Sequence, residues 1–160
     1  MRSMIGQLAS FYWQSTQQLN YLQPIALLAA RLYVAKVFFA AGLTKLQDWD
    51  TTLFLFEEEY SVPLLPFEWA AVLGTAGEIL LPFLIVVGLG ARFGALGLSI
   101  VNVVAVLSLE EIAPAAMGLH VIWGLLLAQV VVWGAGALSA DAWLKSNLKV
   151  NEKAGQSAYS

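Results

Sequence analysis

Six side chains invite a chemical reading because they lie in stretches too apolar for water: Arg31, Lys36, Lys45, Glu78, Asn102 and His120. A charge at bilayer depth costs roughly 2.5–3.5 kcal/mol even on lenient insertion scales, so each needs a partner or a purpose. Glu78 paired with Arg31 or Lys36 would make a buried charge network able to line a quinone, another cofactor or a proton site. The same pairs could instead only neutralise each other and fix helix register. At about 100° per residue, Gly42 and Lys45 fall within about 40° of Arg31 around a helix, while Lys36 points about 140° away. Arg31 and Lys36 therefore cannot face one narrow interior equally, and a long side chain on a lipid face can snorkel. Lys45 and His120 lie toward one end of their segments. His120 suits either an interhelical hydrogen bond or a functional role, and Asn102 reads as a polar link between helices.

Much chemistry is excluded. The chain has no cysteine and one histidine. It offers no thiolate metal site, iron–sulfur cluster or dithiol relay, and two axial imidazoles for a haem cannot come from one protomer. Met1, Met4 and Met117 are its only thioethers, so no metal site is expected. Any electron carrier must be a bound cofactor or a partner. Gly88-Leu89-Gly90 lacks the preceding strand and third glycine of a dinucleotide-binding loop. Glu57-Glu58-Glu59 reads as a solvated acidic patch before a cation site. No basic, aromatic-interleaved surface points to nucleic acid. No self-contained catalytic motif is present, so catalytic residues stay unassigned and enzymatic activity undecided.

The elements that must position these residues follow from hydropathy. Of the 160 residues, 59% are hydrophobic and 12% charged, against about 25% charged in a soluble domain. A bilayer-crossing helix needs about 20 mostly apolar residues, and four candidates appear at 24–46, 68–89, 93–109 and 116–138. The run from Ile79 to Val87 has no polar face, which a helix in a water-soluble bundle would show. Short turns between the later spans favour antiparallel neighbours. The expected fold is an all-α polytopic membrane protein, a four-transmembrane-helix antiparallel bundle over residues 24–144.

Arg2, Arg92, Lys145, Lys149 and Lys153 lie on one side of these spans. Lys45 and most carboxylates lie on the other, so the positive-inside rule places both termini in the cytoplasm. Trp49 and Trp69 fall near the outer boundary, Trp133 and Trp143 near the inner one. Residues 1–23 show no continuous apolar core of a cleavable signal. Ile5, Leu8, Tyr12, Leu19 and Leu22 recur at helical spacing, fitting a cytoplasmic or interfacial segment. In the outer loop 48–67, Asp50 is placed to cap a helix over 51–60, and Pro63 and Pro66 extend the chain beyond it. Residues 145–160 read as a disordered cytoplasmic tail.

Several short motifs, in order, resemble the DoxX family of small four-helix membrane proteins. They are Ala30-Arg31-Leu32 through Phe38-Phe39, Gly42-Leu43-Thr44-Lys45-Leu46, Tyr60-Ser61-Val62-Pro63, and Glu78 with the later Gly88-Leu89-Gly90-Ala91-Arg92. His120 and the stretch from Gly134 to Asp141 complete the set, which covers about residues 25–144. The fuller stretch Leu55 to Pro66 resembles a branch found beside metal-stress and peptide-modification genes. Lys36, where the family usually carries an apolar residue, and Ala135, in place of a common proline, depart from the pattern. The resemblance implies a membrane subunit or accessory protein of a redox (quinone-linked) or stress-response system in the bacterial cytoplasmic membrane. A quinone is the cofactor it suggests, and membrane lipids, a redox partner protein or a second copy are the partners. The residues leave two rival readings open: a small transporter for a proton, metal ion or small solute, and a scaffold without chemistry.

Overall fold

The computed structural model describes residues 4–148. Six helices follow in order: α1 (Met4–Leu19), α2 (Gln23–Gln47), α3 (Trp49–Glu58), α4 (Phe67–Val87), α5 (Ala91–Leu107) and α6 (Pro114–Trp133). Residues 140–148 are helical as well. No strand occurs among the described residues. Three stretches have the length and apolarity to cross a membrane: Gly6–Gln47, which contains α2, then Phe67–Val87 and Pro114–Trp133; α5 is a shorter apolar helix. Leu80, Phe93, Leu125 and Val132 point their side chains outward on these helices, as a lipid-facing surface requires.

The helix limits have local causes. Pro24 and Pro114 stand in the first turns of α2 and α6, where a missing N–H costs nothing. Lys45 lies in the last turn of α2, where a cation meets the negative end of the helix dipole. Asp48 breaks α2 with an extended backbone and caps α3: its carboxylate accepts from the Thr51 amide at 3.0 Å and the Thr51 hydroxyl at 2.7 Å. Those two bonds hold the Asp48 carboxyl below its usual range. The loop helix is thus Trp49–Glu58 with Asp48 as its cap, not 51–60 capped by Asp50. The earlier carboxylate wins because a cap bonds to a backbone N–H two or three residues ahead.

The fourth span is shorter than expected. It ends at Trp133, not 138, because Gly134 and Gly136 take φ of 76° and 75°, a left-handed region that stops a helix. The chain restarts as a helix at residue 140, where the Ser139 hydroxyl accepts from the Ala142 amide at 3.2 Å. The tail expected to be disordered from residue 145 is therefore helical to 148. Its remainder lies outside the described residues, as do Arg2, Lys149 and Lys153 of the positive-inside argument. α1 forms at the N-terminal segment expected to be interfacial, with Leu8, Phe11, Tyr12, Trp13 and Leu19 exposed.

Packing runs in a closed order. α2 lies on α4, α4 on α5, α5 on α6, and α6 returns to α2, while α3 covers one end of α2 and α4. Neighbouring residues pair in opposite directions along α4 and α5: Gly77 meets Val101, Leu81 meets Gly97, and Leu84 meets Gly94. Val34, Phe38, Ile85, Leu98, Leu127 and Val130 form the central apolar core. Pro82 interrupts α4; lacking an N–H, it leaves the Glu78 carbonyl without its helical donor.

At the end away from α3, the α4–α5 turn is clasped by the segment after α6. The Asp141 amide donates to the Gly88 carbonyl at 3.0 Å, and the Asp141 carboxylate accepts from the Gly90 amide at 3.0 Å. Gly88 and Gly90 both have positive φ, 73° and 58°. A Cβ at Gly88 would collide with Arg31 and Ser139, whereas one at Gly90 meets nothing within 4 Å. Both Gly→Ala changes incur left-handed strain of roughly 1–2 kcal/mol. Gly88→Ala should lower the melting temperature in detergent clearly more than Gly90→Ala, and equal losses would contradict this packing.

Candidate functional site

The most consequential contact begins with a glycine. A Cβ at Gly42 would lie 2.9–3.0 Å from Ile79 and Glu78 side-chain atoms, so only a bare backbone lets α2 approach α4 this closely. One turn further along α2, the Lys45 ammonium donates to Glu78 Oε2 at 2.6 Å. Glu78 is 7% exposed. It is the one ion pair among the described residues. The partner of Glu78 is therefore Lys45, not Arg31 or Lys36. Arg31 lies 14 residues before Lys45, about 21 Å along the helix axis. Lys36 sits on the opposite, exposed face of α2.

α3 roofs this pair. The Thr52 hydroxyl donates to the Lys45 and Asp48 carbonyls, both at 2.9 Å, which ties the roof to the end of α2. Phe56 stacks edge-on against Tyr60, their centroids 5.0 Å apart, and touches the space above Gly74. Burial pushes the Tyr60 phenol above its ordinary range, and the Glu59 and Glu78 carboxylates push it further. Glu78 acts on Tyr60 electrostatically, so the loop residue belongs to the same neighbourhood.

A second polar link joins α5 to α6. The Asn102 amide donates to the His120 carbonyl at 3.0 Å, and His120 Nδ1 lies 2.8 Å from Asn102 Oδ1. Because the amide nitrogen is committed to the carbonyl, Oδ1 acts as acceptor and the imidazole proton sits on Nδ1. The His120 ring stands edge-on to Trp123 at 4.9 Å, and Trp123 in turn meets Phe38 at 6.0 Å. Trp123 Nε1 here and Thr75 Oγ1 on α4 are buried donors with no hydrogen-bond partner in the protein.

Arg31 belongs to neither link. It is fully buried and donates from Nη2 to the Leu138 carbonyl, while Nε and Nη1 have no protein partner. Asp141 attracts it electrostatically, so Arg31 serves the clasp away from α3. Lys36 is exposed beside Leu32, Phe39, Pro82, Phe83 and Val86.

The six residues singled out in the sequence thus resolve into two pairs, Lys45–Glu78 and Asn102–His120, and two separate bases. Sequence reasoning gave no site role to Thr75, Trp123, Tyr60 or Asp141, although Tyr60 and Asp141 stand in the motifs that carry the resemblance. Thr75 was within reach, being three residues before Glu78 on the same helix face. Asp141 was not, because its partners are backbone amides fifty residues away in sequence.

A groove of about 570 Å³ opens beside α3, lined by Glu57, Glu58, Glu59, Glu110 and Glu111 among others. The Ser61 amide, donating to the Ser108 carbonyl at 2.8 Å, holds its two sides together. No group of three His, Cys, Asp or Glu among the described residues is arranged to hold a metal ion.

Comparison with known proteins places this geometry in context. The DoxX family model matches residues 26–111. The chain is 30% identical over 132 residues to a Haemophilus influenzae protein described as uncharacterized, covering 76% of this chain and 84% of that one. No solved structure matches.

The ion pair makes a quantitative prediction. Losing one partner of a buried pair costs about 3–5 kcal/mol, and partial exposure of Lys45 places these variants at or below the low end of that range. Glu78→Gln and Lys45→Met should each destabilise the protein, and the double variant should fall short of their sum by about 0.5–3 kcal/mol. Glu78→Gln combined with Arg31→Met should be additive, because the two sites are far apart. Coupling to Arg31 instead of Lys45, measured by denaturation in mixed micelles, would refute this arrangement.

Proposed function

This chain belongs to the DoxX family, and on that premise we propose that it is a membrane subunit or accessory protein of a redox, quinone-linked or stress-response assembly. In this reading α2, α4, α5 and α6 cross the cytoplasmic membrane as a four-span antiparallel bundle, and both termini are cytoplasmic. The opposed residue pairs along α4 and α5 support that arrangement, and so does the excess of acidic residues at the α3 end. α5, with 17 residues, suffices if it is flanked by interfacial residues or the bilayer thins locally.

The observation that carries the redox reading is the pair of buried donors without protein partners, Thr75 Oγ1 and Trp123 Nε1. An unsatisfied buried donor costs about 1–3 kcal/mol, and quinone carbonyl oxygens are acceptors suited to such groups. Trp123 would hold the ring against Phe38, and His120, fixed by Asn102, would offer its free Nε2. A quinone would supply the electron transfer that a chain without cysteine cannot. The Lys45–Glu78 pair is a positioning element here, since each charge is already satisfied by the other.

One feature weighs against a permeation path within one copy. The central core of Val34, Phe38, Ile85, Leu98, Leu127 and Val130 is at most 4% exposed. It separates the Glu78 neighbourhood from Arg31, and a proton or ion would find no polar file through it. Function then rests on what the protein binds.

Purification in mild detergent followed by native mass spectrometry and solvent extraction tests the reading. The expected result is a stoichiometric quinone or redox partner, with quinone retention several-fold lower in Trp123→Phe. A protomer or homo-oligomer carrying only phospholipid would overturn it.

A further inference from the structure

Lys36 has no place in the site described above. It sits near the middle of α2, with 13 residues before it and 11 after it in that helix. Each end is therefore about 17–20 Å away along the axis. Its side chain is exposed and makes no hydrogen bond or ion pair with any described residue. Its surroundings form a groove of about 310 Å³ between α2 and α4, lined by Leu32, Ala35, Phe39, Pro82, Phe83 and Val86. Phe39 of α2 and Phe83 of α4 meet edge-on across it at 5.3 Å. In the four-span reading this is an ammonium facing the hydrocarbon core, whose half-thickness of about 15 Å a lysine stem does not bridge.

We propose that the Lys36 groove is the docking site for a transmembrane helix of another protein, one that carries an Asp or Glu near its own midpoint. Charge complementarity selects this occupant. A lone cation in hydrocarbon is expensive, and an opposed carboxylate at the same depth neutralises it. A second copy of the chain cannot supply that carboxylate. Of its acidic residues among those described, Glu78 alone lies well inside a membrane-length helix, and it is buried and bound to Lys45. Lipid headgroups carry their charge at the membrane surface, not at this depth. The groove also has the right shape. Leu32, Ala35, Lys36 and Phe39 run along one helix and Pro82, Phe83 and Val86 along the other, forming two ridges against which a third helix can pack. Ala35 at its base leaves room for close approach.

The inference rests on the four-span membrane reading and not on the redox one, so it can hold with no quinone bound. The test uses full-length protein in phosphatidylcholine vesicles with labelled leucine-rich transmembrane peptides bearing Asp, Leu or Lys at the central position. Energy transfer should show the Asp peptide associating at least tenfold more tightly than the Leu peptide. Lys36→Leu should abolish that difference, and Lys36→Glu should shift the preference to the Lys peptide. An unchanged helical circular-dichroism spectrum and melting temperature would confirm that these variants remain folded. Association indifferent to the central peptide residue, or unaffected by Lys36→Leu, would overturn the proposal. So would energy transfer between labelled copies of the protein itself that disappears in Lys36→Leu, which would assign the groove to self-association.

Discussion

The close approach of α2 and α4 at Gly42 is the constraint on which the rest of the arrangement depends. With backbone against the Glu78 and Ile79 side chains, Lys45 comes within hydrogen-bond reach of a carboxylate that is otherwise inside the protein. The ion pair fixes the register of the two helices, because sliding either by one turn would strand both charges. Thr52 then binds the carbonyl of the same lysine, so the position of α3 is set by the residue that neutralises Glu78. A buried pair of this kind is weak evidence for stability but good evidence for register, since each partner left alone is costly.

The interior is divided along its length. At the α3 end and toward the middle lie Glu78, Thr75, Asn102, His120 and Trp123; below them is a dry layer of aliphatic and aromatic side chains; beyond that stands Arg31. Arg31 and Asp141 solve a problem at the far end that the bundle helices cannot solve themselves. The start of α5 presents unpaired amides, and Asp141 caps them from a segment after α6. Its charge also attracts Arg31, whose Nη2 holds the Leu138 carbonyl in the same segment. Gly88 keeps its left-handed turn beneath them because a side chain there would displace the guanidinium. The two ends of the molecule are therefore tied by different chemistry, a side-chain ion pair at one and backbone capping with a buried arginine at the other.

The sequence revealed elements more readily than partners. Long apolar runs and helix-breaking glycines locate α2, α4, α5 and α6 to within a few residues, and the pull of hydropathy on placement is strong enough to survive the interruption at Pro82. The helical-wheel angle correctly separated Lys36 from Arg31, Gly42 and Lys45. Pairing was another matter. Arg31 was an attractive partner for Glu78 because both are charged and deep, yet the choice depends on how far α4 extends past the end of α2. That offset is set by the close approach of α2 and α4 at Gly42, a tertiary fact with no local signature. The overlong fourth span failed for a related reason: Ala135, Ala137 and Leu138 are apolar enough to prolong a helix, and the positive φ at Gly134 and Gly136 overrides them.

Lys36 shows how burial alone can mislead the search for function. Glu78, Lys45, Asn102 and His120 are buried or half-buried, and each is answered within the chain, so their polarity is already accounted for by structure. Thr75 Oγ1 and Trp123 Nε1 are buried and unanswered, as are Nε and Nη1 of Arg31. Lys36 is exposed and unanswered, but its exposure is to an apolar groove in the middle of a helix of membrane length. In water such a residue would call for no explanation. In hydrocarbon it is the least satisfied charge among the described residues. The same side chain thus changes from ordinary surface residue to unneutralised charge according to the solvent around α2.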